Sequence, residues 1–232
     1  MEIIPVIDLK GGQAVHARKG ERRAYRPIQS QLCPDSAPLA VVRSYLELYP
    51  FRTLYVADLD AILRQGDNLR TLEAIAGAHP ELSLWVDSGL GDASACERWA
   101  AHGLGTPVIG SESLNELELL AQLTGQARPF ILSLDFRGES FLGPSDLKTR
   151  PDLWPEDIIV MTLARVGSGD GPDLDRLQEI GKTAPDRRRF AAGGLRDAAD
   201  LELLEKANAA GVLVASALHD GRLTSSDIAT TA

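Results

Sequence analysis

The segment Ser88-Gly89-Leu90-Gly91-Asp92-Ala93 recurs 105 residues later as Gly193-Gly194-Leu195-Arg196-Asp197-Ala198. Two other pairs of segments keep the same spacing, namely Gly66–Leu69 with Gly171–Leu174 and Val108–Ser111 with Leu213–Ser216. A period this long exceeds the roughly 20 to 50 residues typical of solenoid repeats. The repeat therefore indicates two related halves fused in tandem, which we place at about residues 1–125 and 126–232.

Strand-like and helix-like segments alternate along both halves. Short apolar runs rich in β-branched residues predict eight strands, at Ile3–Ile7, Thr53–Ala57, Ser83–Val86, Pro107–Ile109, Phe130–Leu134, Ile158–Thr162, Arg189–Ala191 and Gly211–Val214. Helical periodicity predicts helices at Pro38–Tyr49, Asn68–Ala78, Ala93–His102, Asn115–Leu123, Leu174–Thr183 and Ala198–Ala207. The alternation predicts one α/β domain over residues 1–232, a closed (β/α)8 TIM barrel with its active site at the carboxyl ends of the strands.

The composition restricts the class of protein and its partners. The chain has 232 residues, 44% of them hydrophobic, which is enough for the core of one barrel. Its net charge of −9 argues against a nucleic-acid partner or an anionic membrane surface. The two cysteines lack metal-ligand spacing, the amino terminus lacks a basic and apolar leader, and no apolar run is long enough for a membrane helix. We therefore expect a cytoplasmic protein.

One segment departs from the two-fold pattern. Asp8, after the first predicted strand, matches Asp135, after the fifth, but these residues are 127 positions apart rather than 105. The second half is therefore 22 residues shorter between its first two strands. The connection from Phe136 to Asp157 also contains three prolines, which disfavour a crossover helix. We expect the fifth helix to be missing or reduced to a single turn.

Asp8 and Asp135 are the candidate catalytic residues. Each follows an apolar strand and precedes a glycine-bearing loop, so each is expected at the rim of the barrel. Four strands separate them, which places an acid and a base on opposite sides of one substrate. The alternative for either residue alone is an aspartate that caps the loop after its strand.

A phosphate cradle is predicted after the last two strands. Gly193 and Gly194 follow the seventh strand and Ala215 and Ser216 follow the eighth, where barrels of this class often bind phosphate through backbone N–H groups. The alternative is a simple tight turn. The basic loop at residues 16–26, which contains Arg18 and Lys19, is interpreted either as a lid over an anionic substrate or as a solvated loop.

Several motifs together resemble those of the histidine-biosynthesis barrels HisA and HisF, and are closer to HisA. They are Ile4–Leu9, Val56–Ala61, Ile109–Ser111, Gly171–Asp173 and Gly193–Gly194. The resemblance implies an Amadori rearrangement of an aminoaldose to an aminoketose, without cofactor or metal. It also implies Asp8 as general base at the sugar C2, Asp135 as general acid for ring opening, and two phosphates held in symmetry-related cradles.

The chain departs from the family pattern in its first half. The family cradle Gly-Gly-Gly-Ile-Arg is replaced by Asp87-Ser88-Gly89-Leu90-Gly91, which introduces a carboxylate and removes an arginine. Ser88 and Gly89, together with Gly110 and Ser111, remain candidates for binding a phosphate or a neutral polar group. After the fifth strand, Ser140–Pro144 replaces the family's Arg-Gly-Trp loop. After the sixth, Thr162 is either a hydroxyl partner for the substrate or a half-buried strand residue.

Three functions are consistent with the sequence. The first is a HisA-like isomerase acting on a small phosphoribosyl substrate. The second is a diverged relative acting on another phosphoribosyl amine, for example in methanopterin-linked one-carbon metabolism. The third is a phosphate-binding barrel without catalysis, which the two retained aspartates disfavour. We expect a monomer or weak homo-oligomer, with one occupied phosphate cradle, beside Gly193.

Overall fold

The predicted strands form a closed barrel of eight parallel strands in the computed structural model, which describes residues 1–231. The strands in chain order are β1 (Glu2–Lys10), β2 (Gln13–His16), β3 (Arg26–Pro27), β4 (Thr53–Asp58), β5 (Ser83–Asp87), β6 (Thr106–Gly110), β7 (Ile131–Arg137), β8 (Ser140–Leu142), β9 (Asp157–Thr162), β10 (Arg188–Ala192) and β11 (Gly211–Val214). β1 pairs in parallel with β4 on one side and with β11 on the other, which closes the barrel. The (β/α)8 TIM barrel prediction is confirmed.

Helices connect the barrel strands on the outside. They are α1 (Pro38–Leu48), α2 (Leu59–Ile62), α3 (Leu69–Ala78), α4 (Ala93–His102), α5 (Glu118–Gly125), α6 (Leu174–Thr183), α7 (Ala198–Lys206), α8 (Ser216–His219) and α9 (Ser225–Thr231). Asp92 and Asp197 cap α4 and α7 by accepting backbone N–H groups of their first turns. These two aspartates occupy equivalent positions of the 105-residue repeat.

Residues of each strand alternate between two hydrophobic cores. In β1, Ile3, Ile7 and Leu9 belong to the large core between the barrel and its helices, whereas Ile4 belongs to the core inside the barrel. Because side chains alternate with a period of two, Asp8 lies on the same face of β1 as Ile4. The alternation therefore turns Asp8 toward the interior of the barrel.

The connection after β7 contains no α-helix. β8 pairs antiparallel with β7, and two short 3-10 helices follow, at Ser145–Thr149 and Pro151–Leu153. Trp154 covers this connection, and its indole N–H donates a hydrogen bond to the Leu147 carbonyl oxygen at 3.0 Å. This confirms the predicted loss of the fifth helix. The prolines of this segment explain the loss, because they permit only short turns.

The basic loop at residues 16–26 starts and ends in strands that the sequence pattern missed. β2 pairs with the end of β1, and β3 pairs with β2, so that His16 stands opposite Arg26. A hairpin thus extends the first barrel strand beyond the rim. No helix in residues 1–231 combines the length and apolarity needed to cross a membrane.

Candidate active site

One cavity opens at the carboxyl ends of the barrel strands and contains both predicted catalytic aspartates. Its acidic lining residues are Asp8, Asp87, Glu112 and Asp135. Its basic and imidazole-bearing lining residues are His16, Arg22, His219 and Arg222. The predicted phosphate cradle, formed by Gly193, Gly194, Ala215 and Ser216, lines the same cavity. The barrel therefore brings the candidate acid, base and phosphate site together.

Asp8 lies at the end of β1, partly buried inside the barrel mouth. Burial raises the pKa of this carboxyl to about 7, because the charged form is poorly solvated. The nearby Arg22 guanidinium opposes that rise, whereas Asp87 adds to it. Asp8 therefore titrates near neutral pH, as a general base requires.

Asp135 lies on β7 and is held by hydrogen bonds. The Ser133 hydroxyl donates to Oδ1 at 2.7 Å, and the Glu112 backbone N–H donates to Oδ2 at 3.1 Å. Burial nevertheless raises the pKa of Asp135 to about 7. Its bond to Ser133 lowers the pKa, and the neighbouring Glu112 and Asp87 charges raise it. The carboxyl is thus fixed in place and retains a proton readily.

Asp87 is a third carboxyl inside the barrel mouth, at the end of β5. Its Oδ1 accepts the Gly89 N–H at 3.0 Å, and its Oδ2 lies 3.4 Å from the Tyr55 hydroxyl that donates to it. Burial raises the pKa of Asp87 to about 6. Strand alternation could have revealed it, since Asp87 shares its face of β5 with the interior residue Trp85.

Gly110 shows how near two of these carboxyls are to each other. A Cβ atom on Gly110 would lie 3.2 Å from Asp135 Oδ2 and 3.5 Å from Asp87 Oδ2. Both oxygens therefore border the same small space beside β6. A larger residue at this position would displace a carboxyl. Gly110, which the sequence analysis named as a candidate binding residue, therefore leaves room for the Asp87 and Asp135 carboxyls.

The second-half cradle depends on glycine. Gly193 and Gly194 have φ values of +102° and +91°, which L side chains rarely adopt. A Cβ on Gly193 would also lie 2.7 Å from the Thr162 carbonyl oxygen. On the same side of the cavity, His16 Nε2 lies within hydrogen-bond distance, 3.1 Å, of Ser216 Oγ. The backbone therefore requires glycine at Gly193 and Gly194, and Ser216 of the cradle is bordered by an imidazole from β2.

The basic loop reaches the cavity through Arg22 rather than through Arg18 or Lys19. Arg22 forms a two-point ion pair with Glu112, which follows β6. Arg18 and Lys19 are exposed and do not line the cavity, and the Lys19 N–H donates to the Val166 carbonyl oxygen at 2.7 Å. The sequence pattern missed this pair because 90 residues separate its members.

The predicted first-half cradle does not open into this cavity. Ser88 and Gly89 line a second depression, beside α4. Ser111 is buried, and its hydroxyl donates to the Leu142 carbonyl oxygen of β8 at 2.6 Å. Thr162 is also buried and donates to the Asp173 carboxylate at 3.0 Å. Ser111 and Thr162 therefore contact the protein itself, at positions where the sequence predicted substrate contacts. Among the described residues, the Ser88 hydroxyl is buried without a hydrogen-bond partner.

A hydrogen-bonded chain beneath Asp8 was not predicted from the sequence. The Ser30 hydroxyl lies 2.9 Å from His219 Nδ1, and His219 Nε2 lies 2.6 Å from the Tyr45 hydroxyl. Tyr45 donates in turn to the Val6 carbonyl oxygen at 2.8 Å, so Nε2 carries the imidazole hydrogen. Burial lowers the pKa of His219 to about 4, which keeps the ring neutral. The chain braces the end of β1.

Within residues 1–231, no group of three or more His, Cys, Asp or Glu side chains is arranged to hold a metal ion. The carboxyls of the cavity instead accept hydrogen bonds from backbone N–H groups and hydroxyls or interact with the charge of Arg22. Cys33 and Cys96 are buried free thiols that do not line this cavity.

A model of the family described as histidine biosynthesis protein matches residues 2–224 of the chain. The chain belongs to this family. It is 30% identical over 234 residues to an uncharacterised protein of Methanocaldococcus jannaschii, covering 98% of this chain and 97% of that protein. It is also 30% identical over 240 residues to an imidazole-4-carboxamide isomerase of Campylobacter concisus, whose name carries two phosphoribosyl groups, with 98% of each chain covered.

A third family member is the phosphoribosyl isomerase A of Streptomyces griseus, which is 26% identical over 237 residues, covering 94% of this chain and 92% of that enzyme. The resemblance to HisA and HisF is thereby confirmed. Relatives of this chain thus include enzymes named as isomerases and a protein without an assigned activity.

Proposed function

We propose that the chain is an isomerase that converts a phosphoribosyl aminoaldose to the corresponding aminoketose. The observation that carries the proposal is the pair of inward carboxyls, Asp8 on β1 and Asp135 on β7, at opposite sides of one cavity. The family membership supports it, since two relatives are named as phosphoribosyl isomerases.

The proposed reaction needs only proton transfers. Asp135 donates a proton to the ring oxygen, the bond from that oxygen to C1 breaks, and the nitrogen lone pair forms a C1=N bond. Asp8 then removes the proton on C2, and its electron pair forms the C1=C2 bond as the C1=N bond returns to a single bond. A proton is finally added at C1 while the C2 hydroxyl loses its own, which gives the ketone without net gain or loss of atoms.

The electrostatics of the cavity suit these two roles. General acid and base catalysis is most efficient when the pKa values lie near the working pH. Both aspartates have pKa values raised to about 7. Asp87 favours the neutral form of both carboxyls, but Arg22 favours the charged form of Asp8 and Glu112 favours the neutral form of Asp135. The surroundings therefore bias Asp8 toward the base and Asp135 toward the acid.

The glycine cradle is the proposed binding site for the substrate phosphate. Gly193, Gly194, Ala215 and Ser216 are proposed to bind the substrate phosphate, with His16 and Arg222 at its border. Backbone N–H groups suit a phosphate because they approach closely and carry partial positive charge. In the proposed complex the sugar lies between Asp8 and Asp135.

A second candidate function is the same rearrangement on a different phosphoribosyl amine. The separation of Ser88 and Gly89 from the cavity favours it, because a substrate with two phosphates would need both cradles. Complementation of a histidine auxotroph that lacks the isomerase distinguishes the candidates. Growth would support the histidine-pathway reaction. Failure to grow, together with binding of a monophosphorylated pentose, would favour the second candidate.

A growth test alone does not separate a catalytic barrel from a phosphate-binding barrel. The matched variants are Asp8→Asn and Asp135→Asn, which keep the side-chain shape and remove the titrating group. If both variants complemented as well as the unmodified chain, the enzyme proposal would be wrong.

A further inference from the structure

The two halves of the repeat differ at the residue that precedes each cradle. Asp87 ends β5, and its partner 105 positions later is Ala192, which ends β10. Both residues line the active-site cavity. The second half therefore leaves room for a ligand next to Gly193, whereas the first half fills the equivalent room with a buried carboxyl.

The chain after β6, the strand next to that of Asp87, is also tightly packed. The Ser111 hydroxyl donates to the Leu142 carbonyl oxygen, and the Asp135 N–H donates to Ser111 Oγ at 2.9 Å. A Cβ on Gly143 would lie 2.6 Å from the Ser111 carbonyl oxygen, which shows how tightly the chain after β8 is packed here. The β8 hairpin thus covers the place at which a second phosphate would meet β6.

The first half lacks an arginine that the second half has, together with the aspartate that binds it. In the second half, the Arg196 guanidinium is bound by Asp200, with Nη2 to Oδ1 at 2.6 Å and Nε to Oδ2 at 2.9 Å. The equivalent first-half positions are Gly91 and Ala95. Both members of this ion pair are therefore absent from the first half.

Three of the four acidic residues that line the cavity lie on one side of it, whereas Asp8 belongs to β1. Asp87, Glu112 and Asp135 belong to or follow the adjacent strands β5, β6 and β7. The phosphate cradle, His16 and Arg222 belong to the opposite side, around β10, β11 and the hairpin of β1. On the acidic side the Arg22 guanidinium is already bound between these carboxyls, paired with Glu112. The acidic side thus accommodates a cation and repels an anion.

We propose that Asp87 determines specificity for a substrate with a single phosphate and, on its C1 substituent, a positively charged or hydrogen-bond-donating nitrogen. This inference rests on the proposed function, because it assigns the two ends of the same substrate. The phosphate binds beside Gly193 and Gly194. The nitrogen faces Asp87 across the cavity, at the position where a second phosphate would be repelled.

Three stable pentuloses that differ only at C1 test the inference. They are ribulose 5-phosphate, 1-amino-1-deoxyribulose 5-phosphate and ribulose 1,5-bisphosphate, which carry a hydroxyl, an ammonium and a second phosphate at that carbon. Their dissociation constants are measured by calorimetry. We expect the amine to bind at least about tenfold more tightly than the hydroxyl compound, since hydrogen bonds to charged groups have about this strength. The bisphosphate should bind most weakly.

The variant Asp87→Asn tests whether Asp87 causes the tighter binding of the amine relative to the hydroxyl compound. Asparagine retains an acceptor for the Gly89 N–H and is neutral, so the fold is expected to persist and the preference for the amine to fall at least about fivefold. Glu112→Gln is a second variant on the same side and should show a smaller loss. The control is Asp92→Asn, an exposed helix cap outside the cavity, which should leave the ratio unchanged.

The possible outcomes separate the two proposals. Tightest binding of the bisphosphate, equal binding of the three compounds, or an unchanged ratio in Asp87→Asn would overturn the inference and leave the isomerase proposal standing. Failure of all three compounds to bind would overturn both, because the shared 5-phosphate would then have no site.

Discussion

At the scale of single residues, the carboxyls of the barrel mouth are buried where their charged form is disfavoured. Asp8, Asp87 and Asp135 all have raised pKa values, with burial as the largest cause. The folded chain therefore binds protons more tightly than the unfolded chain does. Its stability is expected to fall as pH rises from the ordinary aspartate range toward neutrality. Catalytic sites commonly carry such a cost to stability.

Asp87→Asn gives the first prediction, in the pH dependence of stability. The folded pKa of Asp87 is about 6, above its ordinary value of 3.8, so ionisation destabilises the fold progressively between these two pH values. The variant avoids this cost and should be more stable by about 1 to 3 kcal/mol at pH 7, with little difference near pH 3.5. Thermal or denaturant unfolding across this pH range measures the difference.

An exposed control makes this prediction specific. Glu73→Gln removes a carboxyl from the exposed face of α3, far from the mouth. It should not reproduce the gain between pH 4 and pH 7. A gain in Asp87→Asn that was independent of pH would show that packing, rather than the buried charge, limits stability at this position.

At the scale of elements, the hairpin of β2 and β3 delivers Arg22 to the cavity. The Lys10 ammonium donates to the Arg22 carbonyl oxygen at 2.9 Å, and Glu112 holds its guanidinium. Arg22 lowers the pKa of Asp8, against the larger effect of burial. The loop therefore contributes Arg22 to the cavity and acts on the proposed base through it.

Arg22→Ala should shift the pH dependence of catalysis. Loss of the guanidinium raises the pKa of Asp8 further above 7, so the ascending limb of kcat/KM should move to higher pH, by up to about one unit. Arg22→Lys keeps the positive charge and should restore much of the original profile. Arg18→Ala, which removes an exposed charge of the same loop, should leave the limb in place. An unchanged limb in Arg22→Ala would contradict this role.

The elements differ in how far the sequence predicted them. The eight barrel strands were recognisable because continuous β-branched runs mark strands buried on both faces. The three prolines between Phe136 and Asp157 correctly predicted the lost helix. The hairpins β2–β3 and β8 were missed, because they are short and their pairing depends on contacts with β1 and β7. The strand propensity of the residues carries little information about such short, added strands.

At the scale of the whole molecule, the repeat predicted the barrel and the positions of its candidate acid and base. Asp8, Asp135 and the Gly193-Gly194 cradle line one cavity, as their places at the carboxyl ends of the first, fifth and seventh predicted strands implied. The contacts that cross the barrel could not be read from the repeat. Ser111 meets Leu142, Arg22 meets Glu112 and His16 meets Ser216 only after the barrel closes.

The central claim is that Asp8 and Asp135 catalyse the aminoaldose to aminoketose rearrangement together. The most direct test is the rate at which the unmodified chain, Asp8→Asn and Asp135→Asn convert a phosphoribosyl amine, formed from ribose 5-phosphate and ammonia, to its aminoketose. We expect each variant to lower kcat by about 10² to 10⁴, with the sugar phosphate still bound. Turnover in either variant at the rate of the unmodified chain would contradict the account.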